Sequence, residues 1–69
     1  MERFVLYNAN TRERETVTCN SAQEAFELVQ SRNRKEHSQP WRAYDEWGYR
    51  IVGLYQNNDS GRFEGVMKV

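Results

Sequence analysis

The apolar residues of this chain come in short runs whose period changes along the sequence. Phe4-Val5-Leu6-Tyr7 is a β-favouring run, with Phe4 and Leu6 in one phase and Val5 and Tyr7 in the other. Both phases are apolar, which suits a strand inside a sheet rather than at its edge. Residues 8–12 form a polar turn, and residues 13–19 then alternate. Glu15, Val17 and Cys19 point one way and Thr16 and Thr18 the other, the pattern of a half-buried strand. The two segments are close enough in sequence to form a hairpin.

At Ser21 the period becomes helical. Ser21-Ala22-Gln23-Glu24 is a capping box: the Ser21 hydroxyl accepts from the Glu24 amide, and the Glu24 carboxylate reaches back to the Ser21 amide. Ala22, Ala25, Phe26 and Val29 follow at helical spacing, with Leu28 flanking the stripe. Glu24 and Glu27 stand early, and Arg32, Arg34 and Lys35 late, as the helix dipole favours. The spacing predicts a helix from Ala22 to Asn33 or a turn beyond. Pro40 bars its continuation and makes Gln39 extended.

Residues 41–44, 49–55 and 62–69 read as three further strands. Asp45-Glu46-Trp47-Gly48 and Asn57-Asn58-Asp59-Ser60-Gly61 separate them as turns. Phe63, Met67 and Val69 share a phase in the last strand, where Gly65 marks a bulge or a close backbone approach. The predicted fold is α+β, an antiparallel sheet of four or five strands with one helix on one face. Its order is ββαβββ, or ββαββ if residues 41–52 merge into one long strand. A single helix leaves the second sheet face uncovered, with Val5, Tyr7, Thr16, Thr18 and later aromatics available to it.

Composition narrows the function. Sixty-nine residues make one small domain, whose core supplies only about 3–5 kcal/mol of net stability. That size excludes a multi-domain enzyme. Ten Lys+Arg balance ten Asp+Glu, which argues against bulk coating of nucleic acid and against an acidic nucleic-acid mimic. Eight of the ten cations are arginine, whose planar fork suits carboxylate, phosphate or backbone recognition. No apolar run is long enough to span a membrane, and the run at residues 4–7 is shorter than a signal-peptide core. With one cysteine and no internal disulfide, a cytoplasmic setting is expected.

The densest chemistry lies at Trp41, Tyr44, Trp47 and Tyr49, interleaved with Arg42, Asp45, Glu46 and Arg50. Trp, Tyr and Arg are the residue types enriched at binding hot spots. Trp41 is expected to close the core. Trp47, beside Gly48 in a turn, is a contact candidate, and Tyr44 and Tyr49 flank that turn closely enough to stack. Arg12 and Arg14 fall at the first hairpin, and Arg32, Arg34 and Lys35, with His37 following, form a local basic cluster. The candidate partner-binding set is therefore Trp47, Tyr44, Tyr49, Arg50, Arg42, Arg12, Arg14, Arg32, Arg34 and Lys35.

Catalysis finds no footing. Cys19 falls on the apolar phase of its strand and reads as a small core residue. One Cys and one His fall short of a zinc set, and the four glycines follow no phosphate-loop spacing. Adjacent Asp45 and Glu46 point apart in a strand, so they do not make an acid/base pair. No cofactor or metal is expected.

The charged hairpin, the capped helix at Ser21-Ala22-Gln23-Glu24-Ala25-Phe26, and Trp41-Arg42-Ala43-Tyr44-Asp45-Glu46-Trp47-Gly48 as strand and turn together resemble small phage-encoded inhibitors. Anti-CRISPR proteins and phage inhibitors of host enzymes have this size and order of elements. The resemblance implies a stoichiometric binder, acting in the host cytoplasm, that occludes a surface of a larger protein or nucleoprotein complex. The alternative is a nucleic-acid-binding module in which sheet aromatics stack on bases and arginines hold phosphates. A last strand with an open edge also offers a route to a homodimer.

Overall fold

A computed structural model describes residues 1–69, the side chains of Phe63 and Glu64 excepted. The elements run β1 (Glu2–Asn8), β2 (Arg14–Cys19), α1 (Ala22–Asn33), β3 (Trp41–Asp45), β4 (Arg50–Gln56) and β5 (Phe63–Lys68). The fold is α+β, with five strands ordered β2-β1-β3-β4-β5 and every pairing antiparallel. Residues 41–45 and 50–56 are separate strands joined by a turn, so the merged-strand alternative does not form. β1, apolar in both phases, takes an interior place between β2 and β3, as its sequence requires.

The core lies between α1 and one sheet face. Phe4, Leu6, Cys19, Ala25, Val29, Ala43 and Ile51 are buried, with Val17, Ala22, Phe26, Trp41 and Val66 packed around them. The helix begins as its capping sequence dictates. Ser21 is extended, and its hydroxyl accepts from the Glu24 amide at 3.3 Å. The Glu24 carboxylate reaches one residue further than expected, accepting from the Asn20 amide at 3.2 Å rather than from Ser21. Such a cap is worth about 1 kcal/mol.

Each hairpin turn is built by one Asx side chain at a strand end, which accepts from two backbone amides beyond it. Asn8 Oδ1 accepts from Asn10 and Thr11 (2.9 and 3.0 Å), and Asp45 Oδ1 accepts from Trp47 and Tyr49 (2.9 Å each). Asn57 Oδ1 accepts from Asp59 and Ser60 at 2.8 and 3.3 Å. Asn8 and Asp45 are also the two buried polar residues of the described set, so burial and turn formation depend on the same atoms.

Two features depart from expectation. Gln39 is not extended: its φ is +47°, its amide donates to the Glu36 carbonyl at 3.2 Å, and its own carbonyl accepts from the Arg42 guanidinium. Those two bonds close a tight turn ahead of Pro40 and override the steric bias before proline. Tyr44 does not stack on Tyr49; it meets Tyr7 edge-on across β1 and β3, ring centroids 6.5 Å apart, because its neighbours in register are Val5 and Arg50. The register between β4 and β5 shifts twice, once between Ile51 and Gly53 and once between Tyr55 and Gln56, the second beside Gly65. The expected phase of Phe63 with Met67 lies outside the described side chains.

The β3–β4 ladder is short. Ala43 pairs with Ile51 and Tyr44 with Arg50, and there the registered pairing stops. One step further along β3, Trp41 presents its amide and carbonyl to the Asn33 side chain instead of to β4 (2.9 and 3.1 Å). β4 and β5 stay in the same sheet, with Ile51 in the core, Val66 packed against it and Lys68 bonded to Asp45 of β3.

Candidate binding surface

Strand alternation and register fix what the uncovered face displays. Phe4 and Leu6 face the helix, so Arg3, Val5 and Tyr7 face away from it. Across the strands, Arg3 stands opposite Thr18, Val5 between Thr16 and Tyr44, and Tyr7 between Arg14 and Arg42. Tyr44 continues to Arg50 on β4, and Arg50 exchanges both backbone hydrogen bonds with Val69 (3.0 and 2.8 Å). The face therefore brings together Arg3, Arg14, Arg42 and Arg50 around Tyr7, Tyr44 and Val5. Among the described strand residues it carries no acid.

The acidic strand residues lie in the other phase. Glu15 shares the helix-side phase of Leu6 and forms an ion pair with Arg32 of α1. That contact, a hydrogen bond from the guanidinium first of all, holds the Glu15 carboxyl below its ordinary range. Asp45, on the phase of Phe4, bonds Lys68 Nζ at 3.0 Å. Burial works to raise the Asp45 pKa, but the Lys68 bond and the Tyr49 and Trp47 amides together outweigh it and hold the carboxyl low. A chain with no net charge thus displays a cationic sheet face because the acids of the described strand residues stand in the helix-side phase, while Glu24 and Glu27 lie on α1 and others in turns.

The face is ordered by its own contacts. The Arg14 guanidinium lies 5.7 Å from the Tyr7 ring centre, a cation–π distance, and Tyr7 in turn meets Tyr44. These side chains border a shallow hollow of about 530 Å³, walled by Val5, Tyr7, Arg14 and Tyr44, with Asp45 and, in the adjoining turn, Glu46 and Gly48 at its rim. Beyond that rim, the Asp45 carboxylate fixes the β3–β4 turn and presents Trp47, 73% exposed, and Tyr49, 57% exposed. Gly48 occupies the left-handed conformation this turn requires, with φ of +89°.

The predicted contact residues consequently divide. Arg14, Arg42, Tyr44 and Arg50 lie on the uncovered face, and Trp47 and Tyr49 lie in the turn at its end. Arg12 sits in the β1–β2 turn at the opposite end of β1, with a φ of +64°. The basic cluster does not act as one patch. Arg32 stacks on Trp41, 4.6 Å from the ring centre, and pairs with Glu15, whereas Arg34 and Lys35 are exposed beyond the helix. Trp41 packs against the core, as expected. Arg3 and Tyr7 belong to the surface and were missing from the predicted set; their common phase with Val5 was the signal.

Burial raises the Cys19 thiol pKa, assisted by nearby Glu24, so the sulfur stays protonated at neutral pH. Among the described residues no three metal-ligating side chains are grouped. No helix is long and apolar enough to cross a membrane. Comparison with protein-family models, with curated proteins and with solved structures finds no match.

Proposed function

We propose that this chain is a non-enzymatic binding protein that docks the uncovered face of its sheet, with the Trp47 turn at its end, on an acidic surface of a larger protein or nucleoprotein complex and occludes it. One observation carries the reading: four arginines and two tyrosines share one phase of the sheet, and the acids of the described strands stand in the other. Arginine and tyrosine supply binding energy at low entropic cost, and guanidinium forks match carboxylates. Exposed Trp47 provides an apolar anchor beside the charged field. Small phage-encoded inhibitors are the kind of protein this resembles in size and element order, and a reducing host cytoplasm suits its single cysteine.

The test is capture of a partner from host lysate by the wild-type chain and by charge-reversed variants, with folding checked by circular dichroism. Arg14→Glu combined with Arg3→Glu, two face residues that do not line the helix-side cleft, abolishes capture, and Lys35→Glu, beyond the helix, leaves it intact. Equal capture by all three overturns the reading.

The same side chains give the nucleic-acid module a specific footing, since two tyrosines flanked by guanidiniums form a stacking platform with phosphate partners. A fluorescent oligonucleotide titration separates the readings. Phosphate contacts require affinity to fall steeply with salt, whereas an acidic protein partner leaves a short oligonucleotide unbound at moderate salt.

A further inference from the structure

Where the β3–β4 ladder ends, the sheet opens into a cleft of about 510 Å³ between α1, β3 and β4. That volume lies within the range of about 300–1,000 Å³ typical of ligand sites. Phe26, Val29, Trp41, Ile51 and Val52 supply its apolar walls. Arg34, Arg42 and Arg50 line it as well, and none of its lining residues is acidic.

The opening is built into the structure. Asn33 satisfies both backbone groups that Trp41 would otherwise offer to β4, so β3 tolerates the gap without a strand partner. One guanidinium nitrogen of Arg42 is tied to the Gln39 and Trp41 carbonyls. A guanidinium has five N–H donors, so Arg42 is held in place and still has donors for a ligand. Trp41 is braced by Arg32, which is itself anchored to Glu15. Arg42 and Arg50 stand in the strand phase of the uncovered face and line the cleft as well.

We propose that this cleft receives an acidic peptide segment of the partner, its carboxylates on Arg34, Arg42 and Arg50 and one bulky apolar side chain against Val52 and Phe26. The proposal rests on the protein-binding reading above and names the chemistry of the segment that reading requires. Charge complementarity selects the occupant: three cations with no acid call for an anion, and the apolar walls call for a neighbouring side chain rather than for a run of phosphates. A polyanion would also feel the whole chain, whose net charge is zero.

The experiment is an amide NMR titration of the full chain with three probes. These are acetyl-Glu-Asp-Phe-Leu-Asp-Glu-amide, the same peptide with lysine at its acidic positions, and octathymidylate. The acidic peptide moves the resonances of Val29, Asn33, Val52 and the Trp41 indole saturably, and the lysine peptide does not. Arg34→Glu, at an exposed position, weakens the acidic peptide about tenfold or more while the spectrum stays folded. The proposal is overturned if the acidic peptide leaves these resonances unmoved, if Arg34→Glu binds it as tightly as wild type, or if octathymidylate takes the cleft in its place. Loss of the cleft alone leaves Arg14-dependent capture of the partner intact; loss of that capture removes the docking surface itself.

Discussion

Replacing Asp45 probes the joint between stability and the contact surface. Its Oδ1 accepts from the Trp47 and Tyr49 amides at 2.9 Å each and its Oδ2 from Lys68 at 3.0 Å, with the residue only 4% exposed. Asp45→Ala removes all three bonds and leaves two turn amides without their acceptor. Hydrogen bonds to a charged group are worth about 1.5–3 kcal/mol each, but the exposed turn lets water replace part of the loss, so a cost of about 2–4 kcal/mol is expected. Asp45→Asn keeps an amide oxygen for the turn and loses the Lys68 ion pair, whose lysine end is exposed, so its cost is about 1 kcal/mol. Urea unfolding followed by far-UV dichroism reads both, since an m-value of about 1 kcal/mol/M turns these costs into midpoint shifts of about 2–4 M and 1 M.

The same residue fixes a pH dependence. Because its folded pKa is depressed, the Asp45 contribution is fully present above the ordinary carboxyl value of about 3.9 and is lost as pH falls through the folded value. Wild type therefore loses midpoint below about pH 4 more steeply than Asp45→Asn does. An Asp45→Ala midpoint within about 0.5 M of wild type, a stability change of about 0.5 kcal/mol and the range of an ordinary surface change, refutes the role assigned to this carboxylate.

Asn33→Ala strands the amide and carbonyl of Trp41 and lowers stability by about 1–3 kcal/mol, seen as a fall in thermal midpoint, whereas neighbouring Gln30→Ala leaves the midpoint nearly unchanged. Arg12→Gly relieves a left-handed backbone and raises stability by up to about 1 kcal/mol in the same assay. Cys19, buried and with a raised thiol pKa, reacts with a disulfide reagent only at the rate of unfolding, so added urea accelerates the reaction sharply.

Local physics made much of this molecule legible in the sequence. The Ser21 cap and the Ala25/Val29 stripe placed α1 at Ala22–Asn33. Asp45 and Asn57 marked turns because short Asx side chains bond the backbone just beyond them, and the doubly apolar phase of β1 required an interior strand. What escaped was long-range. That Glu15 turns inward to Arg32 while Arg3, Arg14, Arg42 and Arg50 turn outward depends on strand register, and register is set by pairs distant in sequence. Local reading therefore grouped Arg32 with Arg34 and Lys35 and passed over Arg3. The cleft was hidden for the same reason: the Asn33 side chain takes the place of β4 beside Trp41, a substitution visible only once helix and sheet are packed together.

Hydroxyl-radical footprinting of the chain, free and in complex with its captured partner, tests the docking surface most directly. Tyr7, Tyr44 and Trp47 become protected on binding, while Leu28, exposed on α1, stays as reactive as in the free chain. Protection at Leu28 with Tyr44 and Trp47 unchanged would contradict the assignment and place the contact on the helix.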